Sequence, residues 1–229
     1  MGDLIQDGKL KGKTRVFANR EEAGRRLAAA LGGIVDPTGL VLAIPAGGVP
    51  VACPVAREHR LLLDVLVVRK IQIPNNTEAG FGAIGPDGEV LLNDRIVEDL
   101  RLSPKEISAQ VAMTRSGLQS KERELRKGRP LPEVKDRQVI LVDDGLASGY
   151  TMLAAVDFVR QNDARHVIVA VPTASQRTVH FLLPKTDVLV CLNVRGGPVF
   201  AVADAYEEWY DLTDAEVIQL LRESGVAGA

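Results

Sequence analysis

Short apolar runs, set between stretches of helical period, make up most of this sequence. "NREEAGRRLAAALGG" opens on Asn19 as N-cap, carries acids in its first turn and stops at Gly32 and Gly33, which predicts a helix. "GLVLAIPAGG" predicts a strand running into a glycine-rich turn. In "VPVACPVAREHR" the spacing predicts a second helix, with Pro50 near its start, where a missing N–H does no harm, and Pro54 still in the first turn. "LLLDVLVVRK" has almost no alternation and predicts a strand buried on both faces, ending at Arg69 and Lys70. The polar "IQIPNNTEAG" reads as turn-forming, and "FGAIGPDGEVLLN" as a hairpin around Gly85–Gly88.

From Asp94 to Arg129 the period is helical, broken at Ser103-Pro104. Ser103 serves as cap, Pro104 as first residue and Gly128 as terminator. Three more strands are predicted at Gln138–Val142, His166–Val171 and Val188–Leu192, separated by helices at Tyr150–Arg160 and Ser175–Leu183. The tail holds an aromatic cluster, "AYEEWYD", and then an amphipathic helix capped at Thr213 or Asp214. Strands alternating with helices imply an α/β fold: an open parallel sheet with helices on both faces, joined by right-handed crossovers. Neither a repeat nor an interdomain linker interrupts residues 1–229, so one domain is expected.

Composition narrows the function classes. Hydrophobic content of 46% and charged content of 25% are ordinary for a soluble globular protein. A net charge of -2 gives no electrostatic case for a nucleic-acid partner, and "KERELRKGR" reads as a solvated helix face. Cys53 and Cys191 lie too far apart for a zinc spacing or a disulfide framework. The first residues lack a signal-peptide core, Gln6 replaces the Ser or Thr of a myristoylation signal, and no apolar run could span a membrane. A soluble, cytoplasmic protein without a membrane partner is the expectation.

One glycine-rich match fails on context. "GFGAIG", Gly80–Gly85, fits the dinucleotide fingerprint, but a polar loop precedes it and "PDGEV" follows, where a helix should open. The phosphate-loop pattern of Walker-type nucleotidases is missing. "VILVDDGLASGYTM" is different. Asp143 and Asp144 emerge at the carboxyl end of a buried parallel strand, where open α/β sheets bind ligands. A small-residue turn then leads into a helix, whose free N–H groups and dipole suit a phosphate, with hydroxyls from Ser148 and Thr151 beside them. Two carboxylates just before a phosphate cradle suit the vicinal hydroxyls of a 5-phosphorylated ribose, or a magnesium ion. A bare acid pair capping a helix is the alternative.

That stretch resembles the phosphoribosyl-diphosphate (PRPP) motif of the type I phosphoribosyltransferases. Together with "AIPAGGVPVA", "LDVLVVRK" and "VIVAVP", it is similar to members of that family with no settled substrate, from about Phe17 to the C-terminal helix. The resemblance implies a five-stranded parallel core and a small hood, here from the N-terminal segment and about 193–229. It implies a Mg²⁺-dependent transfer of ribose 5-phosphate from PRPP to a nucleobase-like nitrogen nucleophile, by a protein that is often a homodimer.

By the same resemblance Ala46, Gly47 and Gly48 form the pyrophosphate turn, with Arg69 and Lys70 near the diphosphate. Asp143 and Asp144 grip ribose hydroxyls, directly or through the metal, while Ala147, Ser148, Gly149, Tyr150 and Thr151 cradle the 5-phosphate. Lys70, Asp143 and Asp144 are the expected catalytic residues. Residues from Ile71 to about Gly88 correspond to a mobile lid, with a plain hairpin excursion as the alternative.

Some positions depart from the family pattern. Ala46 replaces a common Arg or Lys, a loss Lys70 is expected to offset. Ala147 replaces the Asp of purine-salvage members, with Glu78 as a candidate base. Tyr206, Trp209 or Tyr210 stack a base or pack the core. A non-catalytic sensor of PRPP or nucleotides on the same fold is the second reading.

Overall fold

In the computed structural model, residues 2–197 and 199–225 are described, without the side chains of Thr77 and Glu78. The chain runs β1 (Asp3–Ile5), α1 (Arg20–Ala30), β2 (Leu40–Ala43), α2 (Gly48–His59), β3 (Leu62–Val65), β4 (Arg69–Ile73), β5 (Asn76–Ile84) and β6 (Val90–Leu92). It continues through α3 (Asp94–Asp99), α4 (Pro104–Arg126), β7 (Gln138–Val142), α5 (Tyr150–Gln161), β8 (His166–Ser175), α6 (Gln176–Leu182), β9 (Val188–Arg195) and α7 (Asp214–Glu223). Six strands make a parallel sheet in the order β1-β9-β8-β7-β2-β3, and β4-β5-β6 form a separate antiparallel sheet.

Alternate residues of the main strands feed two cores. Val41, Ala43, Ile140 and Val142 face a cluster shared with α1 and α2, while Leu40, Leu42, Val139 and Leu141 face one shared with α5. Both faces of the sheet are therefore covered, which is why its strands read as unbroken apolar runs. The caps are those the side chains dictate. Asn19 accepts from the Glu22 N–H at 3.0 Å, and Ser103 with Glu106 and Thr213 with Glu216 form reciprocal capping boxes. Thr213, not Asp214, is the cap of α7.

Four expectations are corrected. The core has six strands rather than five, because the N-terminal segment adds β1 alongside β9 at the sheet edge. Arg69 and Lys70 do not end a core strand: β3 stops at Val65, and the two basic residues open β4 of the small sheet. The apolar run misleads because Leu66, Val67 and Val68 stay buried after leaving the main sheet, whose last bond here is Leu66 N–H to Ala43 O at 2.9 Å. Pro54 lies in the interior of α2, which begins at Gly48. Arg126, within the supposedly solvated basic run, is buried against Asp64 at 3.0 Å and ties α4 to β3.

Candidate active site

β2 and β7 are neighbours, with Ala43 and Val142 as register partners, yet β2 leads outward to β3 while β7 leads the other way to β8. The sheet therefore reverses its winding between them, and the turns after these strands open on the crevice where such sheets take ligands. One turn carries Ala46, Gly47 and Gly48, and the other carries Asp143 through Gly149.

The first turn is pressed against the second. A β-carbon on Gly48 would meet the Val142 carbonyl at 2.6 Å, and one on Gly47 would meet Asp144 Oδ2 at 1.9 Å. Only glycine permits this approach. Gly48 donates to Ile44 O and Val49 to Ala46 O, while among the described residues no hydrogen bond takes the N–H of Ala46 or Gly47. Those two donors suit an anion. The Pro45–Ala46 peptide is cis.

The acid pair is not symmetric. Asp143 Oδ1 accepts from the Asp144 N–H at 2.8 Å, and Asp143 lines a cleft of about 340 Å³ with Pro45, Arg69, Lys70, Lys121 and Thr151. Asp144, which does not line this cleft, accepts from Arg20 Nε at 2.8 Å, and its carboxyl also meets that of Asp143. Burial pushes Asp143 well above the ordinary carboxylate range, and the neighbouring Asp144 charge adds to the rise. Burial also pushes Asp144 up, but the Arg20 guanidinium opposes the change.

The turn beyond the acids is pinned from outside. Ala147 O accepts from the hydroxyls of Ser175 and Thr178, and the Leu146 N–H donates to Thr173 O at 3.0 Å. Gly149 takes a positive φ of 84° as the N-cap of α5, and no side chain caps that helix. Its first-turn N–H groups therefore keep the donors a phosphate needs. Tyr150 stacks its ring on Phe181 at 5.3 Å between centroids. Exposed Ala147 and Ser148 border a second cavity of about 740 Å³, with Arg177, His180, Arg195 and Phe200 around it.

The predicted residues thus fall into groups. Arg69, Lys70, Asp143 and Thr151 share one cleft, and Ala147 and Ser148 share a second cavity. Gly47 and Gly48 form the packed floor between the two turns. Residues from Ile71 to Gly88 lie in the β4–β5 hairpin and its turn toward β6, and the Glu78 side chain lies outside the described residues. "GFGAIG" falls in β5 and the turn after it, which excludes the strand–turn–helix setting of a dinucleotide fingerprint.

Arg20 was not foreseen. Its Nη1 donates to the Tyr210 carbonyl at 2.9 Å and its guanidinium lies 3.8 Å from the centroid of the Trp209 ring. Tyr206 is buried and donates its hydroxyl to the Asp144 carbonyl at 2.6 Å, so it packs the core; Tyr210 is exposed. No helix among the described residues is long and apolar enough to cross a membrane. No group of three or more His, Cys, Asp or Glu side chains among them is placed to hold a metal ion alone. A hard cation takes oxygen ligands, so the residues present fit a magnesium ion held chiefly by a ligand's own oxygens, with Asp143 as the protein's carboxylate in the cleft.

The family profile described as phosphoribosyl transferase domain matches residues 25–193. Two Mycobacterium tuberculosis proteins, from strains CDC 1551 and H37Rv, carry phosphoribosyl transferase in their names and are each 36% identical over 219 residues. The match takes in 94% of this chain but 49% of each relative, so the chain spans about half the length of the curated relatives it matches. The crystal structure of TT1426 from Thermus thermophilus is 37% identical, with a TM-score of 0.74, covering 90% of this chain and 98% of that one. The chain belongs to the phosphoribosyl transferase domain family, an enzyme family of the glycosyltransferase class.

Proposed function

We propose that the chain transfers ribose 5-phosphate from PRPP to a nucleobase-like nitrogen nucleophile and releases pyrophosphate. The observation that carries this reading is the meeting of the two turns at the β2–β7 edge, with Asp143, Lys70, Arg69 and Thr151 around one cleft. The 5-phosphate sits on the turn from Ala147 to Thr151, where α5 is uncapped. Ribose hydroxyls donate to Asp143. The diphosphate meets the N–H groups of Ala46 and Gly47 on one side and Arg69 and Lys70 on the other.

In the reaction the C1–O bond to diphosphate breaks, its electron pair leaves with the diphosphate, and the acceptor nitrogen forms the C1–N bond. Negative charge grows on the departing group while positive charge grows on the sugar ring. Lys70 and Arg69 lower the barrier by facing the first, and Asp143 by facing the second. Magnesium, when bound to the diphosphate, neutralises part of the leaving charge. The pinned turn contributes by fixing C1 relative to the acceptor.

A second reading, a PRPP- or nucleotide-binding regulator without turnover, has its own support. Ala46 and Ala147 bring no side-chain chemistry to the two turns. One assay separates them: incubate the protein with magnesium, PRPP and a panel of nucleobases, and follow pyrophosphate release. Release dependent on a base supports transfer. Measurable PRPP binding with no release for any base supports the regulator.

A further inference from the structure

Arg20 is the first residue of α1, and its guanidinium is engaged on three sides. Nε donates to Asp144 Oδ2 at 2.8 Å, Nη1 donates to Tyr210 O at 2.9 Å, and the plane faces the Trp209 ring at 3.8 Å. Trp209 packs on Tyr206, 5.3 Å between centroids, and the Tyr206 hydroxyl returns to the Asp144 carbonyl at 2.6 Å. The contacts close a ring. Its charged members are nearly buried, with side-chain exposures of 9% for Arg20 and 14% for Asp144. Such a pair persists only where geometry and further hydrogen bonds offset desolvation, and here both conditions are met.

The same carboxylate lies against Gly47 of the first turn. Asp144 is therefore held between the N-terminus of α1, the C-terminal aromatic segment and the glycine floor. Asp143, one residue away, is the acid on the cleft.

We infer that Arg20 is a positioning residue that divides the work of the acid pair, locking Asp144 to the C-terminal segment and leaving Asp143 to meet the sugar. The inference rests on the PRPP reading above. Arg20, Tyr206, Trp209 and Tyr210 lie outside the matched residues 25–193, while Asp144 lies within them, so the device joins the flanks of this chain to the matched domain. Its logic is electrostatic. A second unpaired carboxylate in the cleft would repel an incoming diphosphate, and the guanidinium removes that charge from the ligand side. Lysine could not replace it, because stacking on an indole while donating in two directions needs a planar fork.

Trp209 is the single tryptophan of the sequence, so its emission reads the ring of contacts directly. The test compares Arg20→Met, Arg20→Lys, Asp144→Asn and Asp143→Asn by Trp209 fluorescence without ligand and by calorimetric titration with magnesium and PRPP. Arg20→Met and Asp144→Asn should alter the emission, and Arg20→Met should weaken PRPP binding about tenfold or more. Arg20→Lys should follow Arg20→Met, and it carries the test if the methionine variant does not fold. Asp143→Asn should lose PRPP affinity while keeping wild-type emission.

Wild-type PRPP affinity in a folded Arg20 variant, or unchanged emission in Asp144→Asn, overturns the inference. Failure of the wild-type protein to bind PRPP would instead contradict the transfer reading, and the emission comparison would still decide whether Arg20 locks Asp144.

Discussion

The Asp144 carboxylate occupies the space beside Gly47, where a β-carbon would lie 1.9 Å from Oδ2. Arg20 holds that same oxygen in place, so the carboxylate has little room to yield. Gly47→Ala should therefore force the two turns apart. Overpacking of this kind costs about 1–3 kcal/mol. Thermal unfolding should show that loss together with weaker PRPP binding; an alanine variant with both properties unchanged would show that the turns can separate freely.

Asp143 gives a pH prediction with a definite sign. Burial and the Asp144 charge raise its native pKa above the unfolded value, so the native state holds this proton at pH values where the unfolded chain has released it. Stability of the unliganded protein should then fall as pH rises through the window from about 4 up to the raised native value. PRPP affinity should move oppositely, rising over that window as the carboxylate ionises and becomes an acceptor only. Denaturant melts at several pH values check the first trend, and Asp143→Asn should reduce it to the part contributed by Asp144, whose pKa burial also raises. A slope that survives intact in the Asn variant would assign the effect to another group.

Tyr206 bonds the Asp144 carbonyl from a buried position. Tyr206→Phe keeps the ring packing and removes the donor, leaving a carbonyl unsatisfied at a cost of about 1–3 kcal/mol. Urea unfolding should show this destabilisation. A variant as stable as the wild type would mean the carbonyl finds another partner.

Cys53 and Cys191 are both buried, and burial pushes both thiols up, Cys191 to about 12. The thiolate is the reactive form, so neither should react appreciably with iodoacetamide in the folded protein, and both should react on unfolding. Mass spectrometry of labelled native protein would detect any exception.

Much of this architecture can be read from local pattern. The run Gln138–Val142 is bounded by polar residues and acids, and β7 has those limits. The capped helices α4 and α7 follow from side-chain chemistry within one turn. β8 and β9 extend beyond their predicted ends, because buried Thr173 and Asn193 continue the strands without continuing the apolar signal. β3 and β4 merge in the sequence because residues between the sheets are as apolar as those within them.

The site divides in the same way. The acids and the glycine turns are contiguous in sequence and visible there. Arg20 is not, since its partners Asp144 and Tyr210 are 124 and 190 residues away. No local period encodes a contact of that span. The different partners of Asp143 and Asp144 are likewise set by tertiary neighbours, Arg20 and Gly47 for Asp144 and the cleft for Asp143.

The central claim is that the cleft at the carboxyl ends of β2 and β7 binds PRPP through Asp143. A calorimetric titration of the wild-type protein and Asp143→Asn with PRPP and magnesium tests it most directly. Saturable one-site binding by the wild type, lost in a folded Asp143→Asn variant, is the predicted result. Equal affinity in the two proteins, or no binding by the wild type, would contradict it.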